Sequence, residues 1–276
     1  MKKGIFIILS LFAIVLLTGC GKVDLDLEKV KESIAALKQD KIDSSLVYGE
    51  VNMKEEYQDL EYIYESDYEQ YGFNLDDLDE FSFGYNKNTK DFYVVFKTKD
   101  GKDKAVKKSI ESFVESLKKD EKDEDVLNKL KNYKLETIDG YIVAVSVKDN
   151  ADLLKVIKNC KNPIFANVME MPIESIEDVL GLKEDQVDEF LMATPMMIVR
   201  SDTYIIVKPS EGNKKVVKEK IDEYMDALEK QWETYLPEQY ELVKNRLEKE
   251  LGDYLIYVVS IDNDLVYKTI KDCKNN

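Results

Sequence analysis

The chain of 276 residues contains no histidine. This absence excludes serine or cysteine nucleophiles activated by imidazole, the usual zinc sites and a histidine pH switch. Arginine is also scarce, because only Arg200 and Arg246 occur among 40 basic residues, so bidentate clamps for phosphate or carboxylate are hardly available. Any catalysis would depend on carboxylate, lysine or tyrosine side chains. We therefore expect no enzyme activity and no cofactor.

The charge of the chain is strongly one-sided. Acidic residues number 56, and the formal net charge is −16 at pH 7. A surface of this sign repels phosphate polymers and anionic headgroups, which excludes nucleic acid as a partner. Basic peptides and divalent cations fit better, although high charge by itself is typical of a soluble surface.

The first twenty residues have the layout of an export signal. Lys2 and Lys3 precede an apolar run at 5–17, and Leu17-Thr18-Gly19-Cys20 closes it. The run is too short for a spanning helix, and the small residues before a cysteine resemble the lipobox cut by signal peptidase II. We expect a signal peptide at 1–19, lipidation of Cys20 and attachment to the outer face of the cytoplasmic membrane. The alternative is an uncleaved anchor helix, or a leader cut elsewhere.

The remaining sequence repeats itself at a spacing of about 110 residues. Five segments match in the same order, and together they make coincidence a poor explanation. The pairs are 71–81 with 180–190, 92–96 with 203–207, 105–117 with 216–228, 141–147 with 255–261, and 158–162 with 271–275.

This repeat predicts an α+β fold made of two tandem units, each a small antiparallel or mixed sheet packed with helices. Each unit is expected to hold a short leading helix, a hairpin, a long helix, a second helix, one strand and a closing helix. We predict a tether and helical extension at 20–70, a first repeat at 71–162 and a second at 173–276. The boundary lies between Pro163 and Pro172.

Three local expectations follow from the apolar pattern. In the second unit the hairpin is predicted at 196–200 and 204–208, joined across Ser201 and Asp202. The nearly apolar segment 255–261 is predicted as a buried strand. Residues 27–37 are predicted as a helix that packs on the first unit.

The stretch 199–260 carries a recognisable pattern of residues. Its elements are the strand 204–207, the sequence Tyr-Leu-Pro-Glu-Gln at 235–239 and Gly-Asp-Tyr at 252–254. It resembles a small Firmicutes lipoprotein domain known as domain of unknown function 4358. The first unit is less similar, because it lacks the Tyr-Leu-Pro-Glu-Gln element. The resemblance implies an extracytoplasmic lipoprotein with tandem copies of this domain, and it brings no activity or ligand.

Two cysteines occupy equivalent positions near the ends of the units. Cys160 and Cys273 each follow an isoleucine by three residues on the apolar side of the closing helix. A disulfide between the units would need their α-carbons within about 7 Å. The alternative, two buried free thiols, is favoured because free cysteine is among the most buried residue types.

Aromatic residues are densest at 57–73, among carboxylates. Tyrosine is amphipathic and suited to stacking on sugars or gripping a basic peptide, so we consider this segment and one helical tryptophan as binding residues: Tyr62, Tyr64, Tyr68, Tyr71 and Trp232. The alternative is that these rings cover a core. The acidic clusters at 76–80 and 120–125 lack calcium-loop spacing, so no metal site is predicted.

These patterns predict a noncatalytic, membrane-anchored module outside the cytoplasm that binds an envelope protein or peptide. One alternative is a carboxylate-dependent hydrolase of the cell envelope, which needs two acids of opposed proton affinity. Another is a lipid-tethered substrate-binding subunit of a transporter, for which the units are small.

Overall fold

The computed structural model describes residues 23–275, so the predicted signal peptide and Cys20 lie outside the described residues. The described chain folds into two five-stranded antiparallel sheets, each packed with helices. This confirms the predicted α+β class. No helix within 23–275 is long and apolar enough to cross a membrane.

The first sheet has the strand order β1-β2-β3-β5-β4. Its central strands, β3 and β5, are almost wholly apolar and buried, as expected for strands covered on both faces. The strands are β1 (Glu61–Tyr62), β2 (Leu78–Tyr85), β3 (Phe92–Thr98), β4 (Lys134–Ile138) and β5 (Tyr141–Ser146).

The second sheet repeats this order as β6-β7-β8-β10-β9. The register of its first hairpin shifts between Val187 and Glu189, as that of the first sheet does between Leu78 and Glu80. The strands are β6 (Val168–Glu170), β7 (Val187–Pro195), β8 (Thr203–Pro209), β9 (Leu247–Leu251) and β10 (Tyr254–Val259).

The helices begin at side-chain caps in several places, because aspartate accepts from the first free amides of a helix. Asp26, Asp43, Asp123, Asp149 and Asp262 each do so. The helices are α1 (Leu27–Ala35), α2 (Ser44–Met53), α3 (Asp103–Lys118), α4 (Glu124–Lys131), α5 (Asn150–Asn159), α6 (Ile176–Leu180), α7 (Lys214–Trp232), α8 (Pro237–Lys244) and α9 (Asn263–Asp272).

Each sheet buries both of its faces. In the first sheet, α2 and α5 cover one face around Tyr93 and Val95, while α3 and α4 cover the other around Phe83 and Val94. In the second sheet, α6, α7 and α8 cover one face around Ile205. The other face is covered by α9 together with the N-terminal helix α1.

The position of α1 corrects one expectation. The predicted helix at 27–37 packs on the second unit, not the first, because Val30 and Ile34 are buried in the core formed with α9 and the second sheet. Its place there matches that of α2 on the first sheet. The amide of Asp26 donates to the carbonyl of Cys273 at 3.0 Å, and the amide of Asp43 donates to that of Cys160 at 2.7 Å.

Two further expectations were wrong in detail. Each unit has a second hairpin before its closing helix, since β4 pairs with β5 and β9 pairs with β10 where a single strand was predicted. The predicted strand 196–200 is instead a turn, and β7 lies upstream of it at Val187–Pro195. One strand had no counterpart among these expectations: β1 at Glu61–Tyr62 pairs with β2 in the first sheet.

Candidate functional site

One end of the first sheet carries a cavity of about 580 Å³. It lies where the β2–β3 turn, the β5–α5 turn and the short helix Glu55–Tyr57 meet. Acidic side chains dominate its lining, which consists of Glu56, Tyr57, Asp59, Leu60, Asn86, Thr89, Asp91, Val147, Lys148, Asp149 and Asp152.

Turn chemistry fixes two walls of the cavity. Asn86 folds the β2–β3 turn by accepting from the amides of Asn88 and Thr89 at 2.8 and 3.1 Å. Its amide nitrogen donates to the carbonyl of Asp59 at 3.0 Å and so holds the third wall. Asp149 caps α5 by accepting from two amides of the first turn. These are the local bonds that asparagine and aspartate favour at turns and caps.

Tyr57 links the short helix to α5. Its hydroxyl donates to Asp152 Oδ2 at 2.6 Å, and Lys54 Nζ lies 3.7 Å from the same oxygen. The hydrogen bond from Tyr57 lowers the pKa of Asp152, and Lys54 adds to the effect. Burial, followed by the contact with Asp152, raises the pKa of Tyr57. The pair therefore stays a neutral phenol and a carboxylate across the physiological range.

Asp91 is neutralised by a lysine of α4. Lys129 Nζ contacts Asp91 Oδ1 and donates to the carbonyl of Thr89 at 2.6 Å, which ties the β2–β3 turn to that helix. Asp91 therefore serves the structure of the turn.

Two carboxylates of the cavity have no partner among the described residues. Among residues 23–275, the side chains of Glu56 and Asp59 make no hydrogen bond or ion pair, and both residues are exposed at the cavity. Lys148 lines the same cavity and is likewise unpaired with the described side chains. Asp149 bears a further negative charge at its cap, so acidic groups remain in excess. The arrangement suits a cation, whereas within the described part of the chain no group of three or more acidic or cysteine side chains is placed to hold a metal.

The tyrosines predicted for binding divide into surface and core residues. Tyr64 is exposed and Tyr62 is half-buried, and both form a cluster with the exposed Tyr48 of α2. Ring centroids are 4.4 Å apart for Tyr48 and Tyr62 and 5.5 Å apart for Tyr62 and Tyr64. Tyr64 is 69% exposed. We call these three residues the tyrosine cluster.

The other aromatic candidates belong to cores. Tyr68 is fully buried, and Tyr71 packs edge-on against Phe83 in the same core. Trp232 is 1% exposed under α8 in the second unit. Tyr68 and Trp232 thus present no ring to solvent, whereas Tyr71 is partly buried at the edge of its core.

Both cysteines are buried free thiols in the structure. They lie in different cores, Cys160 under α2 and α5 and Cys273 under α1 and α9. The described chain thus shows no disulfide between them. Burial raises the pKa of Cys160 to about 12, so its thiol is unreactive near neutrality.

The second unit contains a segment that matches a family model. Residues 165–260 match the family model described as domain of unknown function (DUF4358). This DUF4358 segment spans β6 to β10, the whole second sheet, and confirms the resemblance seen at 199–260. No curated protein and no solved structure matches the chain.

The Tyr-Leu-Pro-Glu-Gln element at 235–239 has a structural role in that segment. Gln239, the last residue of the Tyr-Leu-Pro-Glu-Gln element, accepts from the amide and hydroxyl of Ser201 at 2.8 and 3.0 Å. Ser201 is buried at the base of the β7–β8 turn. The Tyr-Leu-Pro-Glu-Gln element therefore fastens α8 to that turn.

Sequence reasoning did not find the cavity. Its carboxylates come from three separate segments, at 56–59, 91 and 149–152, and only the fold brings them together. The usable signals were local: Asn86 and Asp149 are turn and cap residues at strand ends, and loops at one sheet end converge.

Proposed function

We propose that this protein is a noncatalytic, lipid-anchored binding module on the outer face of the cytoplasmic membrane, and that its ligand is a cationic peptide segment of an envelope protein. One observation carries the ligand class: the cavity of the first unit holds carboxylates in excess of its lysines. A ligand with lysine or arginine side chains complements that charge.

The cavity also offers contacts for the stem of such a side chain. Tyr57 and Leu60 supply apolar surface beside the free carboxylates of Glu56 and Asp59. Lysine and arginine bury their methylene stems on apolar surface and keep the charged head on polar groups. The tyrosine cluster does not line the cavity, but its residues precede and follow the 56–60 segment in sequence, and its rings are of a type suited to stacking on a longer peptide.

The carboxyl groups support binding over hydrolysis. General acid catalysis needs a carboxyl group whose pKa is raised. Hydrogen bonds lower the pKa of three carboxyl groups, those of Glu80, Glu121 and Asp152, and so hold each of them ionised. The alternative of a carboxylate-dependent envelope hydrolase thus gains no support from these groups.

The anchoring proposal comes from the sequence of the first twenty residues and from the family. The second unit matches DUF4358, and the first unit has the same strand order, which supports tandem copies of one scaffold in a Firmicutes-type lipoprotein. Metabolic labelling with a radioactive fatty acid tests the anchor. We expect label on the wild-type chain and none on Cys20→Ala, whereas label that survives the substitution would refute lipidation at Cys20.

The ligand class is tested by calorimetric titration with a hexalysine peptide. Neutralising Glu56 and Asp59 together, as Glu56→Gln with Asp59→Asn, removes two unpaired charges and should weaken binding about tenfold at low salt. Glu55→Gln is the matched control, because Glu55 is exposed on the same short helix but does not line the cavity. Equal affinity of the wild type and the double variant, or equal binding of hexaglutamate, would overturn the proposal.

A further inference from the structure

The turn between β7 and β8 begins with four consecutive exposed apolar residues. Met196, Met197, Ile198 and Val199 are 68%, 59%, 76% and 43% exposed, and we call them the apolar tip. The equivalent turn of the first sheet, at 86–91, is entirely polar. A run of exposed apolar side chains is unfavourable in a soluble surface unless another surface covers it.

The polar residues that follow the tip, at 200–202, are held in place by hydrogen bonds. Ser201 is held by Gln239 of α8, and Arg200 Nε donates to the buried carboxylate of Asp202 at 2.5 Å. Arg200 also donates to the carbonyl of Ile164 at 3.2 Å. The fold therefore presents the tip outward, whereas it buries apolar residues elsewhere in its cores.

Charge is absent from the tip. Residues 190–201 contain no acidic residue in a chain of net charge −16, and the one charged side chain in that stretch, Arg200, is paired with Asp202. The tip consequently has neither the repulsion from a lipid surface nor the hydration cost that the acidic remainder would bring.

The proposed lipid on Cys20 would hold this unit close to a bilayer, because the described chain begins against the second sheet. Val23 lies against the β9–β10 turn, since a Cβ on Gly252 would be 2.6 Å from Val23 Cβ. Three residue steps separate Val23 from Cys20, which is at most about 11 Å of extended chain. The tip lies at the other end of β8 from that turn, about 23 Å away for a seven-residue strand.

We propose that the apolar tip inserts into the outer leaflet of the membrane, as a second contact beside the lipid anchor. The second sheet then lies along the bilayer, with its β9–β10 turn near the anchor and the tip in the interface. Neutral lipid is preferred, because the rest of the surface is acidic. This inference rests on the proposed anchoring and is independent of the cationic ligand.

Fluorescence of a labelled tip tests the insertion. The chain from residue 21 onward, which retains every described residue, is labelled with NBD at Ile198→Cys and mixed with phosphatidylcholine vesicles. The control is Met53→Cys, since Met53 is 83% exposed but isolated on α2. Cys160 and Cys273 are 2% exposed and stay unlabelled in the native fold.

We expect the emission at position 198 to shift to the blue and intensify with added vesicles, while the emission at 53 does not change. In the unlabelled chain, Met197→Ser with Ile198→Ser should reduce co-sedimentation with vesicles at least about tenfold, because two apolar side chains lose their burial. An unresponsive label at 198, or one that responds only when envelope proteins are added, would overturn the proposal. The labelled chain begins at residue 21 and therefore lacks Cys20. A failure of this experiment is thus distinguishable from a failure of lipidation, which the fatty-acid labelling tests.

Discussion

Glu80 and Glu189 occupy the same position in the two sheets and make the same pair of contacts. Each follows the register shift of its hairpin. Each accepts one hydrogen bond from a lysine of the neighbouring strand and one from a tyrosine at the start of the strand beyond: Lys97 and Tyr141 for Glu80, Lys208 and Tyr254 for Glu189. The repetition of the scaffold therefore extends to its polar contacts.

Acid is expected to destabilise the first unit through Glu80. Burial raises the pKa of this carboxyl, but the hydrogen bonds from Lys97 and Tyr141 outweigh burial and hold the pKa below its usual range. A carboxyl that is more acidic in the folded chain contributes stability above its unfolded pKa, and this contribution is lost as the pH falls through the folded pKa. We expect Glu80→Gln to flatten the decline of the unfolding free energy below about pH 5.

Denaturant titrations at a series of pH values measure that decline. Glu211→Gln is the control, because the exposed side chain of Glu211 contacts no other described residue through a hydrogen bond or ion pair. It should keep the wild-type slope. A wild-type slope in Glu80→Gln as well would contradict the assignment.

Shortening a buried side chain of α1 should lower the stability of the second unit, although α1 belongs to the N-terminal segment. Ile34 is 1% exposed in the core of the second sheet, so Ile34→Ala is expected to cost about 2–5 kcal/mol. Hydrogen exchange should then lose protection in β8 and β10 while β3 and β5 keep theirs. Glu32→Ala, an exposed change on the same helix, should alter neither sheet. Protection lost first in β3 would argue against the placement of α1.

The place of α1 shows where sequence reasoning ends. Its amphipathic pattern predicts a helix, but its partner is set by contacts such as the bridge between Leu25 and Lys274, which joins the two ends of the described part of the chain. No local pattern encodes such a contact. The repeat itself was predictable, because the buried strands β3 and β8 carry matching apolar runs.

Gly84→Ala is expected to destabilise the first sheet. A Cβ at this position would lie 2.1 Å from Cε1 of the fully buried Tyr93, directly across the strand pair. Such overpacking costs about 1–3 kcal/mol. Gly49→Ala, in open space on α2, should instead stabilise the chain by about 0.5–1 kcal/mol. Thermal and denaturant unfolding measure both, and equal stability of the two variants would be the contrary result.

The edge strands were harder to predict than the central ones. In β4 and β9 three of the five residues are exposed and the exposed residues are polar or charged, so neither shows the apolar run of a buried strand. The apolar tip misled in the opposite direction, since four apolar residues suggested a strand where the structure has a turn. Apolar patterning indicates burial, and it fails where an element is an edge or an exposed apolar turn.

The thiols of the native protein should resist modification. Cys160 and Cys273 are each 2% exposed, and burial raises the pKa of Cys160. We expect no rapid reaction with Ellman's reagent in buffer and reaction of both after unfolding in denaturant, for the chain from residue 21 onward. A gain of two protons in mass on reduction would show a disulfide and contradict the separate cores.

The most direct test of the central claim is to locate a bound cationic peptide. A lysine peptide carrying a benzophenone group is irradiated with the wild-type protein, and the cross-linked residues are identified by mass spectrometry. We predict cross-links at 56–60, 86–91 and 147–152, the segments that line the cavity, and their loss in the Glu56→Gln, Asp59→Asn variant. Cross-links spread over both units, or confined to the second unit, would contradict the account.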